Sequence, residues 1–350
     1  MGPTGNDVNV IQIHPTKLCN LSCKHCYSSS GPEGFYELPI DAIENFLADA
    51  VGEGFNAIGI SGGEPFVYSS LPRLLASARS LGFYTTVTTN GLLLNDKKIA
   101  DLADNISLLA ISVDGVPKSH DRLRGLPQAL EKMKANLPSL REAGIPFGFI
   151  FTLTLENLHE LAWVADFAIQ EGAQLLQVHP LEQVGRARDY QLLPPDDIEL
   201  AYAFIEVARL QKLYCDQLKI QFDVADRKLI TEEPCRAFAI PTPDLAEVEH
   251  LPLAAIVSPL VLQDNGLIVP IQYGFSPEFA IGRLGQQSFS EAAAHWKREV
   301  YPHFLELSRN VWAEMTTAAD YLPFTNWYGI ATTRSHHFAP VAGDSINLPS

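Results

Sequence analysis

Between residues 8 and 179 the chain alternates short β-rich runs with amphipathic helical runs, and this alternation restricts its fold more than any other feature. The strand candidates are residues 8–14, 57–61, 84–89, 108–113, 146–153 and 175–179, and helical spacing occupies 40–52, 71–81, 95–104, 126–143 and 158–171. Six strands separated by five helices build a parallel sheet of right-handed βαβ units. Chemistry in such a sheet collects at the carboxyl ends of the strands, so polar residues there are the candidate functional groups.

Past residue 179 the regularity changes. A turn- and charge-rich stretch (182–197) leads into one long helix, 196–218, then a hairpin, 255–262 and 267–271, turning at Asp264-Asn265-Gly266. Helices at 289–296 and 300–315 follow, and the tail from Ala318 reads as irregular. The expected organisation is an α/β unit over 1–190, a smaller α+β unit over 191–317, and the tail 318–350. With 47% apolar and 19% charged residues among 350, the chain has material for a sizeable core.

A formal charge of −16 argues against nucleic acid as a partner, because an acidic surface repels phosphate. It serves solubility, or a neutral or basic partner such as a peptide or small metabolite. There is no secretory signal and no apolar run long enough to span a bilayer, so the expectation is a cytoplasmic protein without a membrane partner.

Five cysteines make a poor disulfide framework, and three of them crowd into Cys19-Asn20-Leu21-Ser22-Cys23-Lys24-His25-Cys26, just after the first strand. Three thiolates on one loop can bind three corners of a cubane cluster and leave the fourth iron open, whereas a ferredoxin closes its cluster with four. An open iron suits a ligand with both an amine and a carboxylate. The alternatives are a zinc site completed by His25 or His14, and buried structural thiols.

The Cys-x3-Cys-x2-Cys loop, with Gly62-Gly63-Glu64-Pro65, Thr89-Asn90-Gly91, Ser112-Val113-Asp114-Gly115 and His120-Asp121-Arg122-Leu123-Arg124-Gly125, resembles the radical S-adenosylmethionine (SAM) superfamily over about half the chain. The resemblance implies a partial (β/α)6 barrel followed by a smaller α+β domain. It also implies one [4Fe-4S] cluster on Cys19, Cys23 and Cys26, with SAM on its open iron. A reduced cluster would cleave SAM to a 5′-deoxyadenosyl radical that takes hydrogen from substrate, with the electron coming from a donor such as flavodoxin or ferredoxin.

By the same resemblance Gly62, Gly63 and Glu64 meet the methionine amine, with a plain strand-to-helix turn as the other reading. Ser112 contacts the methionine carboxylate or ribose, and Arg124, or its rival Arg122, the carboxylate. His25 and Tyr27 flank Cys26 and pack or hydrogen-bond the adenine. Asn90 and Thr152 or Thr154 end the third and fifth strands; ordinary β-propensity explains the threonines equally well. Gln177 and His179 end the sixth strand, facing SAM or substrate.

The hairpin and the helix after it resemble a SPASM or twitch domain, the cluster-bearing C-terminal domain of many peptide-modifying members. Ile271 stands where a cluster cysteine is expected, and Cys215 and Cys235 cannot complete a second ligand set, so a single cluster is expected. Cys215 reads as helix packing. Cys235 reads as a free thiol, a remnant ligand, or a hydrogen-atom donor to a substrate radical. Only 18 residues precede Cys19, too few for a leader-binding domain, so a peptide substrate would be short or delivered separately. The expected activity is hydrogen abstraction from a small peptide or specialised metabolite; a tetrapyrrole or sugar nucleotide is the alternative, and a non-catalytic iron–sulfur or zinc protein the reading of another class.

Overall fold

The computed structural model describes residues 8–34, 36–232, 248–317 and 324–338. Six parallel strands run in sequence order, β1 (Val10–Ile13), β2 (Ala57–Ile60), β3 (Tyr84–Thr89), β4 (Leu108–Ser112), β5 (Phe147–Leu153) and β6 (Leu175–Pro180). Each agrees with its sequence candidate to within a residue or two. Alternate residues divide the two faces. Ile11, Ile13, Ile58, Ile60, Val87, Ile111, Phe149, Phe151, Leu176 and Val178 are buried in the hydrophobic core. Each such side chain stabilises the fold by about 1.5–3 kcal/mol. The other face presents Gln12, Ser61, Thr86, Thr88, Thr152, Gln177 and His179, none of them buried. The sheet is therefore apolar outside and polar within, as a partial (β/α)6 barrel with a working lumen requires.

The sheet does not stop at residue 190. β7 (Lys219–Phe222) pairs with β6 in parallel, and a two-residue strand, β8 (Ala225–Asp226), follows. At the other edge β9 (Leu260–Leu262) lies parallel to β1, with Ile13 opposite Leu262, and β10 (Leu267–Pro270) and β11 (Gly282–Arg283) follow antiparallel. The hairpin thus extends the same sheet, giving ten strands in the order β11-β10-β9-β1-β2-β3-β4-β5-β6-β7. Gln272, just after β10, donates a hydrogen bond to Glu182, just after β6, although six strands separate β10 from β6 in that order. Only a sheet curled into a barrel brings those ends together.

Residues 324–338, expected to be irregular, are ordered. β12 (Phe324–Thr325) pairs antiparallel with β8, and the helix Trp327–Ser335 follows, its first turn capped by the Asn326 side chain accepting from Gly329 N at 3.1 Å. Its far end reaches the hairpin, where Ser276 N donates to Ser335 Oγ (3.0 Å) and His336 meets the Gly274 carbonyl (2.8 Å). This strap runs from the β7 side of the barrel to the β10 side. A two-residue strand and a helix holding Gly329, Thr332 and Thr333 have too little pattern to be seen in sequence.

Two other expectations are corrected. The helix expected over 126–143 is two short ones, Ala129–Lys134 and Leu137–Glu142, broken beside Pro138. The long helix ends at Leu213, so Cys215 lies exposed in the following turn and packs no core. Among the described residues no helix is long and apolar enough to cross a membrane.

Candidate functional site

The cysteine loop leaves β1 and is pinned on both sides. Cys19 N donates to Gly31 O (3.0 Å) and Gly31 N to Lys17 O (3.2 Å), closing the loop on itself. Lys24 N donates to Leu123 O (2.8 Å), tying it to the helix Pro117–Arg124. From the far edge Arg186 clamps it: its backbone N–H reaches Cys26 O (3.0 Å), its Nε Cys23 O (2.7 Å), and its Nη2 Ser30 O (2.6 Å). Gly185 must precede that clamp, since a Cβ there would lie 2.3 Å from Tyr27 O. Sequence reasoning missed Arg186; the Gly185-Arg186 pair just beyond β6 was the available signal.

Beneath the loop lies a buried polar network. Arg124 Nε donates to Asp114 Oδ2 (2.6 Å), and its Nη1 lies 3.7 Å from Cys23 Sγ. His25 Nε2 is 3.6 Å from the same Asp114 oxygen, and Asp114 N donates to His120 Nδ1 (3.1 Å). Burial drives the Asp114 carboxyl upward, but Arg124, then His25 and His120, overcome it and hold the group at about 2. Burial lowers His25 and His120 to about 4 against the opposing pull of Asp114, so both rings are neutral. Arg124, expected at a SAM carboxylate, thus places its charge between Asp114 and Cys23. Arg122, its rival, points outward to Glu156.

The glycines serve the loop as well. Gly63 N donates to Thr16 O (3.0 Å) and Glu64 N to Leu18 O (2.9 Å), and a Cβ on Gly63 would sit 2.1 Å from Leu18 O. Backbone therefore crosses backbone immediately before Cys19, which only glycine permits. Glu64, expected to receive the methionine ammonium, is buried and already accepts from Phe66 N (3.1 Å), Thr89 Oγ1 (2.7 Å) and Asn90 N (2.9 Å). Asn90 in turn donates through Nδ2 to Asn20 Oδ1 (2.8 Å) in the loop.

Ser112 and Thr152 lie on the inner face beside this network, Thr152 N donating to Asp114 Oδ1 at 3.4 Å. Thr154 is turned away, bonded to Asn157. Gln177 Nε2 (2.6 Å) and His179 Nδ1 (3.2 Å) both meet Asp223 Oδ2, a partner supplied by the segment after the unforeseen β7. Tyr27 completes a wall with His14 and Tyr273: His14 and Tyr273 stack at 4.9 Å, Tyr27 meets Tyr273 edge-on at 5.4 Å, and the Tyr27 hydroxyl lies 3.4 Å from both His14 Nε2 and Ser61 Oγ. Tyr273, from the hairpin, was not anticipated. Cys235 lies outside the described residues.

The donor set fits a cluster better than a single ion. Cys19, Cys23 and Cys26 are free thiols; burial pushes Cys19 up to about 12 and raises Cys23, with the other thiols adding to the push on Cys19. A cationic metal group is what would turn such thiols into thiolates. No three His, Cys, Asp or Glu side chains among the described residues form a set for one metal ion. A cubane takes one thiolate per iron and needs no such convergence, whereas zinc does. The fourth ligands proposed for zinc are also engaged, His14 Nε2 with Ser61 at 3.0 Å and His25 Nε2 facing Asp114.

Comparison with known proteins agrees with this geometry. Residues 13–168 match the family described as the radical SAM superfamily. Over 214 residues the chain is 31% identical to an AdoMet-dependent heme synthase of Methanosarcina barkeri, covering 59% of this chain and 61% of that protein. It is 26% identical over 229 residues to the PqqA peptide cyclase of Xanthomonas campestris, covering 64% and 61%. The chain therefore spans about three fifths of the length of these curated relatives. Streptococcus suis SuiB bound to its precursor peptide SuiA shares the fold with a TM-score of 0.62 at 18% identity, over 92% of this chain and 70% of that one.

Proposed function

We propose that this chain, whose residues 13–168 match the radical SAM superfamily, cleaves SAM reductively and abstracts hydrogen from a small peptide or specialised metabolite. The observation that carries this reading is the thiol triplet at the mouth of a polar lumen. When bound on Cys19, Cys23 and Cys26, a four-iron cluster supplies the electron that breaks a SAM carbon–sulfur bond to give a 5′-deoxyadenosyl radical. Arg124 sets positive charge against Cys23 and so favours its thiolate, while Asp114 fixes the guanidinium. Asn90, Ser112, Thr152 and Gln177 give the inner face hydrogen-bonding groups for SAM and substrate. The rings of His14, Tyr27 and Tyr273 narrow the approach beside Cys26 and limit water there.

A lumen lined by Thr86, Thr88, Gln177, His179 and Gln221 suits a substrate rich in amides more than a flat apolar ring. The likeness to a peptide cyclase supports the same choice. The likeness to a heme synthase favours a tetrapyrrole as the second reading, and an absorbance titration with porphyrins separates the two.

The test is anaerobic reconstitution. The protein should hold about four irons and four sulfides and convert SAM to 5′-deoxyadenosine and methionine under a strong reductant. The triple change Cys19→Ala, Cys23→Ala, Cys26→Ala should lose both. About eight irons would sink the single-cluster claim, and four irons without 5′-deoxyadenosine the enzymatic one.

A further inference from the structure

The long helix Asp197–Leu213 carries apolar residues on two opposite sides. Leu200, Ala203, Val207 and Leu210 are buried, and the helix packs on β7, on the strap strand β12 and on the helix Leu161–Gln170. Ile198, Tyr202, Ile205 and Leu213 follow one another at steps that keep them within about 80° around the helix axis, on the side away from those four. Ile198 is 72% and Ile205 67% exposed, more than any other large apolar side chain among the described residues, and Tyr202 and Leu213 are each more than half exposed. A helix that is apolar all round is ordinarily buried all round, and this one is buried on one side only. Exposed apolar side chains gathered in this way mark a contact surface. Arg209, ion-paired with Glu206, is the one charged residue within the row.

The charges of the helix indicate what fits against it. Its start is acidic, with Asp196 as the cap and Asp197 and Glu199 in the first turn, and of these Asp197 has a cation, Arg227, at 3.9 Å. Its end is basic, with Arg209 and with Lys212, which is exposed and unpaired among the described residues. The same helix laid across it in the reverse direction would bring a basic end over each acidic start. Laid in the same direction, it would oppose acid to acid and base to base. A two-fold axis between identical chains requires such self-complementarity. Ile205 stands midway between Ile198 and Leu213, where that axis would pass. Ala201 and Ala208, beside the two isoleucines, leave room for a second helix to come close.

We propose that this helix is the surface through which two copies of the chain associate, antiparallel about Ile205. The row lies on the outside of the barrel, so both lumens stay open, and the proposal does not depend on what the cysteine loop holds. One helix pair offers less than the roughly 800 Å² per partner of a standard interface, so the dissociation constant should be on the order of micromolar.

Sedimentation equilibrium of the full chain from about 1 to 200 µM brackets such an affinity and should show monomer passing to dimer. Ile205→Glu would set two carboxylates against each other on the axis and should weaken association about tenfold or more. Its circular-dichroism melting curve should match the parent's, because the side chain is largely exposed within one chain. Lys212→Glu leaves the apolar row intact and should weaken association about threefold or more at low salt. A chain that stays monomeric over the whole range would overturn the proposal, as would an Ile205→Glu variant that dimerises like the parent. A dimer broken by Ile205→Glu but indifferent to Lys212→Glu would overturn the antiparallel arrangement. p-Benzoylphenylalanine in place of Ile205, irradiated in a mixture of isotopically heavy and light protein, reads which surface is met. Heavy-to-light cross-links within residues 197–213 support the two-fold pairing. Cross-links to another part of the same chain would mean that the chain covers its own row, and would overturn it.

Discussion

Glu64 has committed three of the roughly four lone pairs on its carboxylate to Phe66 N, Thr89 Oγ1 and Asn90 N. It joins the Gly62-Gly63 turn to the end of β3, and Asn90 passes the link on to Asn20 in the cysteine loop. Glu64→Gln would turn an amide NH2 toward one of those donors, leaving a buried clash of like groups. The expected cost is about 1–3 kcal/mol of stability, with SAM affinity falling about tenfold or more because the loop loses its support. Thermal unfolding and SAM titration of the same reconstituted sample check it. Weakened SAM binding at an unchanged melting temperature would show that the carboxylate touches SAM directly. The motif revealed where Glu64 would stand but not what it would bond, since two of its three donors are main-chain groups without a residue-type signature. The same holds for Arg124: its type suggested a carboxylate partner, and the partner is Asp114.

Among the elements, those with a strong two- or 3.6-residue period were legible in sequence and the weakly patterned ones were not. β1, β3, β6 and Ile40–Gly52 bury one clean face each. β7, with Lys219 and Gln221 exposed over four residues, has too short an alternation to stand out from the helix before it. The turn into the helix after β2 depends on close approach of two backbones, which makes a direct prediction. Gly63→Ala must push Leu18 O away from 2.1 Å and displace the start of the cysteine loop. Gly52→Ala, where an added Cβ meets nothing within 4 Å, is the control and should be neutral or slightly stabilising. Iron retained per chain after desalting should fall at least severalfold for Gly63→Ala and stay at the parent level for Gly52→Ala. Equal retention by both would mean that the crossing does not govern the loop.

For the whole molecule, the boundary expected at residue 190 divides what the structure joins. The reading was reasonable, because the six-strand pattern ends there and nothing local announces that β9 will pair with β1. Pairing between distant strands is set by which edges remain free, not by either strand's own sequence. A fragment ending at 190 would expose the outer edge of β1, lose Tyr273 from the face of His14, and lose Asp223 from Gln177 and His179. It should aggregate, or bind less than half the iron of the full chain on reconstitution. Size-exclusion chromatography with iron analysis reads both. A monomeric fragment with full iron would show that the C-terminal half is dispensable for the site.

The pairing of β1 with β9 also sets a timetable. The Val10 amide is held by the Ser258 hydroxyl, 248 residues further along the chain. During synthesis the cysteine loop emerges early, while the strand that flanks it arrives late. Contacts so distant form slowly, after a large loop-closure cost has been met. The three thiols therefore pass through a period in which they are made but not yet enclosed, open to oxidation and to stray metals. The sooner β9 reaches β1, the shorter the time for which those cysteines stand unprotected.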